Sequence, residues 1–428
     1  MPLRNKTPLH HWIFWTLILF LPTQLGKHFW PDFAFIFGIR VDYLSPTFYF
    51  TDIIFLVLIF SWIVETKALR EIPKRVEEVK NNKTPLSNCL IIYLSIYLLA
   101  NAILVAQNQG VAVYKLAKLL EMFVLGLYIY KNHTNILSSL FWRISLSLAA
   151  IYPAALALLQ FVLQRPLGDL FWWLGERTFS SGDPGIALLT INGQELMRPY
   201  ATFSHPNSLA GFLLIILILL FPWKKMIEKT ALIFGVGAII LSWSQAVWIT
   251  AIVLFSLWVL RQRRIFLIGA GSILLFITAI SAAMVFVGTA QLPFNTSEDV
   301  SLRLSLAQTA KEMVGGNPLF GIGLNNFIGH LPQVSLLPQV SWWLQPVHNI
   351  FLLVLAETGF IGIVFLFWFL WKSLENLKLV EWNLRPYYPA FLAILFTGLL
   401  DHYWLTLQQN QLLASIVFGL VLARSSRP

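Results

Sequence analysis

Apolar runs follow one another along almost the whole of this 428-residue chain, near residues 12–25, 48–66, 86–105, 111–130, 137–163, 201–222, 230–242, 246–260, 265–288, 347–371, 387–405 and 408–423. Most approach the ~20 residues that carry a helix across the hydrocarbon layer of a bilayer. The runs are continuous and do not alternate, which excludes the strand pattern of an outer-membrane barrel. Composition agrees: with 57% hydrophobic and 12% charged residues, a soluble domain of this length would lack the polar surface to coat itself. The chain therefore reads as an all-α polytopic membrane protein of about twelve crossings, one integral membrane domain over residues 1–428. Two outer loops, 164–200 and 289–346, and a basic inner loop, 67–85, are its sizeable water-facing pieces. The pair of runs between 230 and 260 also admits a re-entrant hairpin around Ser242 to Gln245.

Charge between the runs sets the orientation. Of the 30 Lys and Arg, Lys115 and Lys118 fall within a span. Lys27, Arg40, Arg165, Arg177, Arg198, Arg303 and Lys311 fall on one side, which leaves 21 for the other. The crowded side is cytoplasmic by the positive-inside rule, so both termini lie inside. The net charge of +10 is then mostly topological. Its basic residues are scattered over inner loops without interleaved aromatics, which excludes a nucleic-acid surface. Cys89 is the sole cysteine, so neither a disulfide framework nor a thiolate metal site is available. The first apolar run leads into Pro22, Gln24 and Lys27 without the small-residue pattern of a signal-peptide cleavage site.

Three polar clusters run directly into apolar spans on the outer side: RPYATFSHPNSLAGFLL from Arg198, RLSLAQTAKEMVGGNPLFGIGLNNF from Arg303, and HNIFLLVLAETGFIG from His348. Outer arginines stand against the positive-inside pressure, and the guanidinium fork suits a phosphate or diphosphate. Arg165 and Arg177 have Asp169, Glu176 and Asp183 in their own loop as ion-pair partners, whereas Arg198 has only Glu195 close in sequence. Arg198 and Arg303 are the anion-binding candidates.

Ser204, His205, Pro206 and Asn207 form a helix start, with Ser204 as N-cap and proline in the first turn. His348 and Asn349 open a second outer-facing span in the same way. Each histidine is either a satisfied helix-start residue or a proton-transfer group, since imidazole titrates near neutrality. Lys115, Lys118 and Glu121 recur every three residues on one side of the fourth span. They form either an anion ledge or, for Lys118 and Glu121, a self-neutralising pair. Asp401 and His402 reach the same outer side. Between Val300 and Val314, the spacing of Leu302, Leu306, Thr309, Ala310 and Met313 predicts a helix ended by Gly315, Gly316 and Pro318. Its period reads as an interfacial helix lying apolar side down on the membrane, with Arg303 snorkelling near the headgroups.

The three clusters, in this order and spacing from Arg198 to Gly362, resemble the signature regions of the O-antigen ligase and O-antigen polymerase family of bacterial inner-membrane glycosyltransferases. The first 190 residues resemble it in hydropathy alone. The resemblance implies a GT-C-like fold of about twelve helices with a large periplasmic loop carrying an amphipathic helix. It also implies transfer of a glycan from undecaprenyl diphosphate to an acceptor hydroxyl, with no metal, nucleotide sugar or other cofactor. Carried over by position, Arg198, Arg303, Lys115 and Lys118 would hold the diphosphate and His348 would be catalytic. His205, Asn207, Asn349, Gln245, Asp401 and His402 would support them. Gln245 is a departure, standing where many members have arginine after the seventh span.

The implied partners are a lipid-linked glycan donor, a glycan, lipid or protein acceptor, and membrane lipids, with no nucleic acid. Three functions compete: a ligase or polymerase acting on glycans, a protein O-oligosaccharyltransferase of the same fold, and a small-anion or solute transporter. A transporter gathers its polar site near the bilayer midplane, often at broken helices, whereas most candidates here gather at the outer mouth. The outer loops show no carboxylate pair of the glycoside-hydrolase kind, which favours transfer over hydrolysis.

Overall fold

The computed structural model describes residues 7–66, 86–180, 182–183, 185–191, 194–261, 298–334, 344–375 and 386–423. The expected ninth span, 265–288, and the basic inner loop, 67–85, lie outside the described residues. The described chain is mostly helical: α1 (Leu9–Phe20), α2 (Phe50–Thr66), α3 (Leu86–Ala100), α4 (Gln109–Ser138), α5 (Leu140–Leu163), α6 (Pro206–Leu220), α7 (Met226–Leu241), α8 (Gln245–Arg261), α9 (Glu298–Gly316), α10 (Phe327–Val334), α11 (Ile350–Leu374), α12 (Tyr387–Gly398) and α13 (Gln408–Ala423). Three small antiparallel ribbons complete it: β1 (Gly26–His28) with β4 (Thr47–Tyr49), β2 (Phe35–Ile36) with β3 (Ile39–Arg40), and β5 (Leu188–Ile191) with β6 (Gln194–Met197). By length and composition, α5 and α11 are long and apolar enough to cross a membrane, and α1, α6, α12 and α13 are shorter apolar helices.

Burial sorts the helices. Every residue of α6 except Ile218 is buried, and in α13 all but Phe418 and Leu422 are. A helix apolar on all sides belongs at the centre of a bundle. Around these two pack α4, α5, α7 and α12, with α1 against α5, and Phe14, Tyr128, Phe212, Phe391 and Trp404 fill the space. The exposed faces of α3 and α8 are apolar instead of charged, with Ile92, Ile96 and Leu99 on one and Ile249, Ile252 and Phe255 on the other, the arrangement of a protein whose solvent is lipid. Arg143 of α5 reaches the buried Glu228 of α7 at 2.5 Å and so ties two core helices together.

A second core lies beside the first and is built from the segment after α1 together with α9, α10 and the start of α11. Ala34, Val41, Leu306, Ala310, Met313, Phe327, Leu331 and Leu353 fill it. This corrects the reading of the 300–314 helix. Its apolar residues recur as expected, but Leu306, Thr309, Ala310 and Met313 are buried inside the protein. The stripe that could have faced lipid meets α10 and α11 instead, and Arg303 is held by protein groups.

The glycine-rich motif after α9 has a mechanical explanation. α11 is broken at Gly359, where φ is 62° and ψ is −168°, and the freed backbone groups must be bonded elsewhere. The loop Pro318–Gly323 supplies the partners. Ile322 N and Gly323 N donate to the carbonyls of Ala356 and Glu357 at 3.0 Å each, and Phe360 N donates to Pro318 O at 2.8 Å. Gly321 sits at φ +70°, and a Cβ there would stand 2.6 Å from Ala356 O. Only glycine allows both the conformation and the approach. Asn101 clamps the same loop, donating to Phe320 O and accepting from Leu324 N, both at 2.8 Å.

Two further ends differ from the hydropathy reading. The run 12–25 stops as a helix at Phe20, just ahead of Pro22. The run 387–405 is interrupted after Gly398, and residues 399–402 turn before the short helix Tyr403–Thr406. That interruption takes Asp401 and His402 out of regular helix.

Candidate functional site

Three chain breaks converge at the site: the turn before α6, the turn before α11 and the interruption after α12. His205, rather than Ser204, is the N-cap of α6. Its Nδ1 accepts from Asn207 N at 3.1 Å, with Pro206 in the first turn. Ser204 is engaged by the Gln24 side chain instead, which leaves the cap to its neighbour. Asn349 caps α11, its Oδ1 accepting from Phe351 N and Leu352 N at 2.9 Å each and its Nδ2 donating to Leu399 O at 3.0 Å. The cap of one break thereby holds the backbone of another.

Arg198 donates through Nε to Ser242 O and through a terminal nitrogen to Asn207 Oδ1, both at 2.7 Å. Asn207 passes the link on, its Nδ2 donating to Asp401 Oδ2 at 3.0 Å. Asp401 also accepts from His402 N at 2.8 Å. Arg303 donates to Leu400 O at 3.2 Å and forms no ion pair among the described residues. The His348 and His402 rings lie 5.1 Å apart between centroids, and one ligand-type atom from each of His348, Asp401 and His402 falls within 4.8 Å of the others. His348 Nδ1 is buried without a hydrogen-bond partner among the described residues.

Electrostatics bind the cluster together. The four ionisable groups His205, His348, Asp401 and His402 stand outside the helical spans, and each feels Arg303. Burial, then Arg303, holds His348 well below the ordinary 6.5. His205 is lowered to about 3 by burial and then by Arg198. Burial lowers His402 to about 4 against the opposing pull of Asp401. Burial alone would raise the Asp401 carboxyl, but the surrounding histidines and Arg303 outweigh it, and Asp401 is held below the usual carboxylate range. The result is neutral imidazoles around one carboxylate with two guanidiniums at its edges. Three donors of the His348, Asp401 and His402 kind could hold a cation, but the guanidinium acting on all three works against one and favours an anion.

The remaining expected residues are placed elsewhere. Lys118 Nζ lies 2.6 Å from Asp52 and 3.1 Å from Glu121, and Gln408 Nε2 closes the group at 2.6 and 3.1 Å from the same two carboxylates. This is the self-neutralising alternative for Lys118, with Asp52 as a partner that the three-residue spacing did not show. Lys115 donates to Leu405 O and lies within electrostatic reach of Glu357 and His402. The two lysines line a cavity of about 30 Å³ together with Tyr43, Asn325, Thr406 and Gln408 among others. Gln245 is exposed at the start of α8. Arg177 pairs with Asp42 at 3.2 Å instead of a carboxylate of its own loop, because residues 164–180 fold against the segment after α1. Glu176 is taken by Gln160 and the backbone of Leu167 and Gly168.

Tyr43 and Thr406 went unseen in the sequence. Tyr43 packs edge-on to His402 with centroids 5.5 Å apart, and Thr406 Oγ1 lies 2.8 Å from His402 Nδ1. Thr406 could have been found, since it follows His402 at helical spacing, but Tyr43 is brought in from 359 positions away and left no local mark.

No curated protein matches the chain. Residues 230–367 match the model of the family described as O-Antigen ligase, a stretch that covers α7, α8, α9, α10 and the first part of α11 with Arg303, His348, Asn349 and the glycine-rich loop. Over residues 230–367 the chain is thus similar to the O-antigen ligase family, and its apolar helices are those of a membrane protein.

Proposed function

We propose that the protein is a metal-independent glycosyltransferase of about twelve transmembrane helices, with a large periplasmic loop, that transfers a glycan from undecaprenyl diphosphate to an acceptor hydroxyl at the periplasmic face of the inner membrane, with both termini cytoplasmic. The observation that carries the reading is the meeting of Arg198, Arg303 and the neutral His348 around Asp401. A base and anion-stabilising donors in one cluster are what glycosyl transfer from a diphosphate requires.

In the reaction, the acceptor oxygen attacks the anomeric carbon as the bond from that carbon to the diphosphate oxygen breaks. His348, uncharged before reaction, takes the hydroxyl proton. The leaving diphosphate keeps the bonding pair, and Arg198 and Arg303 stabilise its charge. Asp401 steadies the imidazolium that forms. Lys115 stands behind His402 and adds positive potential, whereas Lys118 is committed to Asp52 and Glu121. A transporter reading is disfavoured because the charged groups at depth neutralise one another and leave the open chemistry at the mouth.

Purified protein reconstituted with a lipid-diphosphate-linked glycan and a hydroxyl acceptor should form the new glycoside and release undecaprenyl diphosphate. Glycan uptake into sealed vesicles without glycoside formation would establish the transporter instead. Sidedness has its own check. A reporter active only outside the cytoplasm should work when fused after Gln333 and be silent after Lys80 or Arg263, and the reverse pattern would put His348 on the wrong side.

A further inference from the structure

Asn207 stands between a cation and an anion. Its Oδ1 accepts from a terminal nitrogen of Arg198 at 2.7 Å, and its Nδ2 donates to Asp401 Oδ2 at 3.0 Å. An amide suits that place because it offers an acceptor on one side and donors on the other, where a guanidinium only donates and a carboxylate only accepts. Its two neighbours therefore decide its orientation. Asn207 and Asp401 are both buried, and opposite charges attract more strongly across a buried gap than through water. The groups that act most on Asp401 are His348, His402, Arg303 and His205, whereas Arg198 is linked to it through the amide. The cap of α6 makes no use of this side chain, since the bond to His205 Nδ1 comes from the Asn207 backbone N–H. The amide is left to the bridge.

We infer that Asn207 is a positioning residue for glycosyl transfer: its amide keeps the Arg198 guanidinium from closing on Asp401 as an ion pair, and so reserves Arg198 for the diphosphate of the donor and Asp401 for the imidazole of His348. The inference rests on the glycosyl-transfer reading above. Direct pairing would blunt both groups at once. The guanidinium would have its charge answered by a carboxylate of the protein instead of the leaving diphosphate, and the carboxylate would no longer steady the imidazolium that forms. A neutral amide prevents this while leaving each partner hydrogen-bonded, so neither charge is buried without an answer. Asn207 touches neither donor nor acceptor in this scheme and acts through the two residues it holds apart.

The test is a cycle of substitutions in full-length protein, reconstituted in membranes with the lipid-diphosphate-linked glycan and a hydroxyl acceptor. Asn207→Ala removes the amide and leaves the helix cap. It should lower kcat/KM for the donor about 10-fold, part of the ~10²–10³-fold that one anion-stabilising donor supplies. In an Asp401→Asn background no carboxylate is left there for Arg198 to close on, and the same change should cost less than about 2-fold, since residues that act through each other are not additive. A residue that only supported the helix start would lose equally in both backgrounds. Asn207→Asp sets a carboxylate directly against Arg198 and should lower donor use in both. Should Asn207→Ala not insert, Asn207→Gly should give the same pattern. Should Asp401→Asn be too slow to assay, the affinity for the same lipid-linked glycan replaces kcat/KM throughout, with the same pattern expected. A wild-type protein without transfer overturns the function and this inference together. Wild-type transfer with no loss in Asn207→Ala or Asn207→Asp, or with an equal loss for Asn207→Ala in both backgrounds, overturns this inference alone.

Discussion

Two polar clusters lie in the same bundle and end in opposite states. In the knot around Lys118, the amine meets Asp52 and Glu121 at 2.6 and 3.1 Å, and Gln408 bonds both carboxylates. Its charges are answered from within. In the histidine cluster, the one carboxylate, Asp401, is surrounded by Arg303, His348, His402 and His205, and His348 Nδ1 is left without a partner among the described residues. Buried charges that satisfy each other are costly to separate, because removing one leaves the other buried and unpaired. Groups left poised toward a pocket are where chemistry is done. The depth of a charge in a membrane protein is therefore a weaker sign of function than whether its neighbours already answer it.

The largest expected effect tests the poised side. His348→Ala should insert and fold normally, still take up donor, and lose ~10²–10⁴-fold in kcat, the usual contribution of a general base. Rates from a reconstituted donor and acceptor assay, beside the thermal unfolding of the same protein, decide it. Near-normal transfer would make His348 a helix-start residue and pass the role to His205 or to the Asp401 and His402 pair.

The satisfied side breaks differently. Lys118→Met leaves two carboxylates buried without their cation, a change of the kind that costs ~3–5 kcal/mol. The expected outcome is a lowered unfolding midpoint and reduced yield, with normal transfer per folded molecule. A variant that kept wild-type stability and lost donor use would put Lys118 in the diphosphate site and dissolve the contrast between the two clusters.

What could be read from the sequence follows from which interactions are local. Apolar runs mark helices because burial in lipid needs only length and composition, so α2, α5, α11 and α13 start or end within about three residues of the expected spans. Helix starts are local too: those at Ser204–Asn207 and His348–Asn349 were visible, although the cap of α6 proved to be His205 and not Ser204. Breaks were not. The insertion of Pro318–Gly323 into α11 depends on backbone partners some 35 residues apart, and no hydropathy pattern encodes it. The same holds for the site. Arg198, Arg303 and His348 stand out by type and position, whereas Tyr43 meets His402 across 359 positions and Asp52 meets Lys118 across 66. The 300–314 helix was misplaced for a related reason, since an apolar stripe does not state whether lipid or protein covers it.

Arg303 gives the sharpest measurement on the comparison, because it acts on the poised cluster in two ways that separate by pH. Arg303→Gln removes a positive charge aimed at the leaving diphosphate, and loss of one such donor typically costs ~10²–10³-fold, about 2.7–4 kcal/mol. That loss should appear in kcat/KM for the donor at every pH. The same guanidinium also lowers His348. Without it, the folded-state pKa of His348 rises toward the ordinary 6.5, and since the base must be unprotonated to act, the acid limb of the rate profile should move to higher pH. Arg303→Lys keeps the charge and should hold the limb near its wild-type position while losing part of the donor effect, as lysine lacks the two-pronged grip of a guanidinium. If Arg303→Gln leaves both donor use and the acid limb in place, Arg303 is an anchor at the helix surface, and the histidine cluster is as self-contained as the knot around Lys118.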